Sequence, residues 1–545
     1  MPIVSNAARV FDYVVVGGGT AGCVLAARLA EDPDVSVALL EAGGPPRRVL
    51  DVPLLGLWAW LKFPRRYCFQ DLTVPQPALG GRRVNWPAGR LIGGSSAVNA
   101  MIYNRGHRAS YDRWSNVAGP MWTYEALLPY FKRAEDRERG LSQWHGVDGP
   151  VAVSESRHLI ELAGAFVAGC HEVGIPATDD FSGAQPEGAG YCQLTQRAGR
   201  RSSAAEYLER TPGGPRVSVH LRTSVTRLTF ERDRATGVEA RVGGATVFIR
   251  ARQEVVLCAG TLRSAQILLL SGIGAADALG RLDIPVVADR PSVGANLQDH
   301  VRVPVLRAFG GANPTSPGRL ARAGVEYALA RRGLLTSNVC DAAAIVRLDA
   351  DAAVPQVRII PHWRAPSQGH RAAVDFEVGL IDPRSQGRLT LTSRDPESPV
   401  AVDPGYLSAP QDAAILARGI ALARAIGDSQ PCRRAGVGDE MQPGAGDVGE
   451  YLRDHADTAF HPVGTCRLGM DPDAVVDTEL RVIGVSGLRV ADASVMPTTV
   501  AGHAQAAVMA IAERAADLIA ARPARRQMVA GGAGSAGTSV AGGAT

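Results

Sequence analysis

Long apolar runs are missing from this chain of 545 residues: no stretch of 18 uninterrupted apolar residues occurs, so no segment reads as a membrane-spanning helix. An excess of one charge is missing too. Basic and acidic residues stand at 58 against 54, and no basic patch points to nucleic acid. The opening residues lack the basic, apolar and small-residue succession of a secretion signal. The eight cysteines form no C-x-x-C pair, no His/Cys/Asp/Glu spacing suits a metal, and there is no G-x-S-x-G nucleophile elbow. Cysteines scattered in this way read as reduced, buried small hydrophobes, and the expected setting is cytoplasmic. Lysine is nearly absent as well, at Lys62 and Lys132 alone. With abundant arginine and alanine this reads as GC-rich, bacterial coding, to which we attach no mechanism.

Hydrophobic residues at 46% and charged residues at 21% are globular values. At about 150 residues per domain, the length suggests three or four domains. Glycine is in excess, with 61 residues, against about 7% in an average protein. Some of that excess has an immediate use. Phe11 to Val16 is an apolar run of strand type, followed by Gly17, Gly18, Gly19, Thr20, Ala21 and Gly22 and then a helical run. This is G-x-G-x-x-G between a strand and a helix. Gly17, Gly19 and Gly22 allow a tight turn, and backbone N–H groups through Thr20 and Ala21 can meet a pyrophosphate at the helix N-terminus. A second strand, Val35 to Leu40, ends in Glu41, 19 residues past Gly22. A carboxylate at that spacing suits ribose hydroxyls and disfavours a 2′-phosphate. The pattern predicts a dinucleotide on a parallel sheet, FAD and NAD both fitting at this point.

Two further blocks are Gly89-Arg90-Leu91-Ile92-Gly93-Gly94-Ser95-Ser96-Ala97-Val98-Asn99 and Ala259-Gly260-Thr261-Leu262-Arg263-Ser264-Ala265, running on to Gly274. With them the chain resembles the glucose–methanol–choline (GMC) family of FAD-dependent oxidoreductases, departing where Ala265 replaces a usual proline. The stretch Val293 to His300 (VGANLQDH), Pro383 to Leu391, and Asp477 to Pro497 resemble further family blocks, so the likeness runs from about residue 11 to about residue 522. The resemblance implies an α/β fold, α+β overall: a Rossmann-type FAD-binding domain with a discontinuous substrate domain built on an antiparallel sheet. It places 8–110, 195–300 and 460–523 in the first and 111–194 and 301–459 in the second. The glycine-rich end, 524–545, reads as a disordered tail. It also implies that Gly94, Ser95, Asn99, Ala100 and Met101 lie along the flavin, with Arg90 near the flavin or pyrophosphate. Val225, in the strand HLRTSVTRLTFE, would meet the adenine, and Ala259, Asp492 and Ala493 would sit by the cofactor.

Thr458 to Cys466 (TAFHPVGTC) matches the stretch carrying the family's active-site histidine, His461, and Pro462 biases that residue towards extended backbone. Forty-two residues on comes His503, opening a helix, with Gln505 beside it. A His–His pair resembles glucose and aryl-alcohol oxidases. A neutral imidazole can take the hydroxyl proton as a hydride passes from carbon to flavin N5. His461 is expected as base and His503 as its hydrogen-bond partner, with the roles open to exchange; His300 reads as structural. The expected reaction is oxidation of an apolar primary alcohol, with O₂ or a quinone or other redox carrier as acceptor. The alternative is a non-redox flavoprotein of the same fold, such as a hydroxynitrile lyase. Phe376, Trp363 and Phe460 are candidates for the substrate cap. Val52 to Phe69, rich in aromatic and basic residues, could touch a membrane, but is read first as a loop packing over cofactor or core. Relatives that attach FAD covalently do so through a histidine where this chain has Val98, so non-covalent FAD is expected. Acid precipitation should therefore release the flavin to the supernatant; flavin pelleting with the protein would overturn this.

Overall fold

The computed structural model describes residues 9–46, 48–62, 64–311, 316–364 and 372–521. The tail expected at 524–545 lies outside them. Two large sheets organise the molecule. The first has seven strands, in the order 218–221, 37–41, 9–16, 245–257, 234–242 and 223–231, with 488–490 also beside 245–257. Its centre is parallel: Val14 lies opposite both Ala38 and Val255. Where they pair, at Tyr13–Val16, Val37–Leu40 and Glu254–Leu257, these strands are buried on both faces, which is why they read there as apolar runs rather than alternating ones. Strands 223–231, 234–242 and 245–257 form an antiparallel ribbon on one side, which the parallel pattern did not anticipate.

Four helices frame the site and the surface beside it: α1 (Thr20–Leu29), α2 (Pro53–Lys62), α3 (Pro317–Ala330) and α4 (Ala504–Ala520). Helix α4 packs on α1, and its residues from Ala506 to Ala516 are all buried. Alanine makes that burial possible by letting neighbouring backbones approach. The second sheet has eight strands in antiparallel pairings, running 437–442, 306–309, 373–380, 357–364, 342–346 and 188–191, with 301–303 and 457–458 added at one end.

Two local expectations change. The stretch around Val225 is two strands, not one, broken at Arg222 with φ +53°. The halves lie at opposite ends of the first sheet's order. Val52 to Phe69 is not a loop: it contains α2 and a further helical turn, Pro64–Tyr67. Proline at the first helical position and a Leu54/Trp58/Leu61 spacing suit a helix.

Backbone-to-backbone contact joins the motifs. A Cβ on Gly22 would lie 1.8 Å from the Gly17 oxygen, and one on Gly94 2.6 Å from the Gly19 Cα. A Cβ on Gly17, itself at φ +99°, would lie 2.5 Å from the Cys258 oxygen. The nucleotide turn is thereby packed against both later glycine blocks. Adjacent glycines give a controlled test. A Cβ on Gly43 would lie 2.0 Å from the Arg90 oxygen, whereas one on Gly44 would meet nothing within 4 Å. Gly43→Ala should cost at least ~2 kcal/mol of unfolding free energy and Gly44→Ala less than ~0.5 kcal/mol, measured by urea denaturation. Equal effects would contradict the packing.

Candidate active site

Strand pairing builds the site. Val301 lies opposite Thr458, which sets Asp299 and His300, just before one strand, beside His461, just after the other. The His461 N–H donates to Asp299 Oδ1 at 2.8 Å, and Thr458 Oγ1 donates to Asp299 Oδ2 at 2.6 Å. The Tyr406 hydroxyl also donates to Asp299, while accepting from Trp86 Nε1 at 2.9 Å. Burial pushes the Asp299 carboxyl up to about 6 against the pull of these donors.

His461 stands between two other imidazoles. Its Nδ1 is 3.0 Å from His300 Nδ1, and its ring centroid is 5.1 Å from those of both His300 and His503, edge to face. The carbonyls of Ile381 and Val500 favour a proton on the His300 ring, against burial and the Arg358 charge. His300 Nε2 nevertheless closes no hydrogen bond. One of the two rings must donate across this Nδ1–Nδ1 contact; donation by His461 would leave its lone pair on Nε2.

His503 caps α4 without a side-chain capping bond. Its N–H donates to Asn104 Oδ1 at 2.7 Å, and its Nδ1 is 2.8 Å from the same amide's Nδ2. Its Nε2 is 3.0 Å from Arg358 Nη1. Guanidinium has donors only, so that nitrogen accepts. Arg358 is buried and also donates to Glu377 Oε1 at 3.0 Å, while Arg302 donates to Glu377 Oε2 at 2.6 Å. Burial opposes a charged Glu377, but Arg302 above all, then His362 and Arg358, hold its carboxyl well below the usual range. Burial first, then the neighbouring rings and Arg358, hold both His461 and His503 well below the ordinary imidazole range.

The cofactor side can be tested for fit. Gly19 caps α1 with no side-chain bond, leaving first-turn N–H groups free around Thr20 and Ala21, as a pyrophosphate requires. Glu41 ends its strand beside this turn, its carboxylate accepting from Gly18 N at 2.9 Å and Gly43 N at 2.7 Å. A cavity of about 450 Å³ opens next to it, lined by Gly43, Arg90, Arg222, Ser224 and Arg241 among others. Val225 adjoins its wall. At the other end, Asn99 donates to Gln505 Oε1 and accepts from Arg201 Nη1 at 2.8 Å, while Gln505 Nε2 is buried without a partner. Met101 holds φ +62°, and Ala100 and Ser95 are exposed. Asp492 accepts from Gly260 N at 2.8 Å and Ser264 Oγ at 2.6 Å, so its carboxylate clamps the turn at Ala259; Ala493 follows, half-buried. Bare backbone, open helix N-termini and an orphaned amide fit a flat dinucleotide running between these ends.

Sequence reading did not find Arg358 or Asn104 and left His300 structural. A motif flanked Asn104 and contained His300, but nothing local marked Arg358. Of the three cap candidates, Phe376 is core, fully buried and stacked on Phe166 at 5.9 Å, because every residue of its strand is covered. Phe460 is 40% exposed, with Trp60 edge to face at 6.0 Å and the Arg302 guanidinium over its ring. Trp363 is partly buried against the core.

Acid should destabilise this cluster. His300 is held down to about 3, mainly by burial, whereas an unfolded imidazole titrates near 6.5. Below about pH 6.5 the unfolded chain therefore binds more protons at this position. The stability it contributes is complete above that pH and is lost towards pH 3, at up to about 1.4 kcal/mol per pH unit. Asp299 works in the opposite sense between about 3.8 and 6, being raised rather than lowered. Urea midpoints should fall from pH 6.5 to pH 5, and His300→Asn should flatten the slope; an unchanged slope would count against a buried neutral His300.

Two family models described as GMC oxidoreductase match residues 11–302 and 383–512. An oxygen-dependent choline dehydrogenase of Chromohalobacter salexigens is 38% identical, covering 94% of this chain and 96% of its own. An alcohol dehydrogenase [acceptor] of Pseudomonas putida is 37% identical, over 93% and 95%. The crystal structure of pyridoxine 4-oxidase from Mesorbium loti superposes with a TM-score of 0.84 at 31% identity, covering 93% of this chain and 98% of that one. Bare-backbone nucleotide turn, paired sheets and relatives agree: the chain belongs to the GMC oxidoreductase family, enzymes of Rossmann-type FAD-binding fold that act on CH–OH groups.

Proposed function

We propose that this enzyme oxidises an apolar primary alcohol to the aldehyde, with His461 as general base, His503 as its partner, and FAD held non-covalently. The observation that carries the reading is the setting of His461: its Nδ1 is 3.0 Å from His300 Nδ1, and its ring centroid is 5.1 Å from that of His503 with the rings edge to face. Bound FAD supplies a two-electron acceptor ring. The rest is work for side chains. His461 Nε2, a lone pair on a ring kept neutral by burial, receives the hydroxyl proton and holds it there. The Nδ1–H bond to His300 fixes ring orientation and tautomer. His503 is anchored through its backbone N–H on Asn104 Oδ1 and through Nε2 on Arg358, and the guanidinium lends positive potential where the alcohol oxygen becomes negative. Glu377 balances the Arg358 charge, leaving Phe460 and Trp60 as the aromatic contacts near the base, which supports an apolar substrate.

Non-covalent binding is supported by Val98, which offers no nucleophile. We assign 8–110, 195–300 and 460–523 to the FAD unit and 111–194 and 301–459 to the substrate unit; the membership of the two sheets supports that division. All eight cysteines are buried and unpaired, which favours a reducing, cytoplasmic setting. Relatives of near-equal identity are named as oxygen-dependent and as acceptor-dependent, so turnover with O₂ against a quinone or dye assigns the acceptor here.

Anaerobic mixing with a primary alcohol should bleach the flavin band, an outcome a hydroxynitrile lyase would not give. His461→Ala should lower kcat about a hundredfold or more with FAD retained. Loss of FAD in that variant would make His461 structural, and no bleaching with any alcohol would remove the oxidation reading.

A further inference from the structure

We propose that the face built by α2 and α3 docks this protein on an anionic lipid surface. The two helices pack together with the turn at Leu334–Leu335, through Leu54, Ala323 and Tyr327. Beyond that seam, large apolar side chains stand in water. On α3 Leu329 is 84% exposed and Val325 58%; on α2 Leu61 is 62% exposed and Trp58 37%. Val325 and Leu329 are one helical turn apart, on the side of α3 opposite Ala323 and Tyr327, so nothing in the described chain covers them. Exposed leucines at this level on two packed helices are unusual on a soluble surface and mark something that binds there.

The charges around them say what. Lys62, Arg319, Arg331 and Arg332 are all exposed, and none has a carboxylate partner among the described residues. Glu326, the one acid on α3, is already paired with Arg322 at 2.6 Å. An apolar ridge bordered by free cations matches the headgroup and acyl boundary of a bilayer bearing negative lipids. A second copy of the chain fits poorly, because a two-fold contact would set these cations against themselves. Neither helix is long and apolar enough to cross a membrane, so the face would lie on it. The position is also informative: Trp60, next to Leu61 on α2, packs on Phe460, the residue before His461. The docking face therefore borders the Trp60–Phe460 contact next to His461, although it does not rest on the reaction assigned above.

The test uses the full FAD-loaded chain, sedimented with vesicles of phosphatidylcholine alone or with about a third phosphatidylglycerol. The protein should sediment with the anionic vesicles only, and less in high salt. Leu329→Ser with Val325→Ser should lower partitioning about tenfold or more, and Arg319→Ser with Arg332→Ser about fivefold per arginine. Flavin absorbance and turnover of a water-soluble alcohol without vesicles should stay unchanged, which separates docking from misfolding. Absence of sedimentation with anionic vesicles overturns the proposal, as does binding indifferent to both variant pairs. Self-association abolished by Leu329→Ser, without vesicle binding, would make a second copy the occupant and overturn it equally.

Discussion

Main chain pressed against main chain is the constraint on which this molecule depends. The turn at Gly17–Gly22, the loop at Gly89–Gly94 and the segment Cys258–Gly260 approach so closely that a single methyl at several positions would strike a backbone oxygen. Such contact gains little from side-chain burial, so it must be imposed from outside. The parallel strands 9–16, 37–41 and 245–257 and the two helices α1 and α4 do this, by holding the segments in one rigid frame. Packing density, rather than any one bond, keeps the nucleotide site open-ended and bare.

A second constraint serves the chemistry. Asp299 gathers a backbone N–H, a threonine hydroxyl and a tyrosine hydroxyl, and through Tyr406 reaches Trp86 in the chain's first hundred residues. One carboxylate thereby ties the frame that carries the nucleotide site to the antiparallel sheet that carries Arg302, Arg358 and Glu377. The three imidazoles sit together, His300 buried and His461 and His503 half-buried. Burial, the neighbouring rings and Arg358 lower the basicity of His461 and His503, which suits the proposed role of a neutral base.

Legibility in the sequence varies with distance along the chain. The nucleotide turn is readable because strand, glycines, helix and acid fall within three dozen residues, each with its own local reason. His461 and His503 are readable from the segments around them, and their partner His300 lies in the VGANLQDH stretch without a visible role. Arg358 is not readable. It meets His503 from 145 positions away, and a chain with dozens of arginines offers no local mark for the one that matters. The break at Arg222 is hidden for a related reason: the flanking residues alternate like one strand, and only docking of Arg222 N–H on the Gly43 carbonyl reveals the turn. Val52 to Lys62 misleads because its aromatic content suggests irregular packing, whereas its leucine spacing is helical.

The bond between Asn99 and Gln505 spans 406 residues, and that between Asn104 and His503 spans 399. Both sides of the wall proposed to face the flavin are therefore made of segments that leave the ribosome at opposite ends of synthesis. The first glycine turn can form early, but the wall it needs is absent until nearly the whole chain has emerged. On the proposed reading, cofactor loading is thus a late step taken by an almost complete polypeptide, and a chain truncated before α4 would carry the glycine motifs without the Asn99–Gln505 and Asn104–His503 contacts.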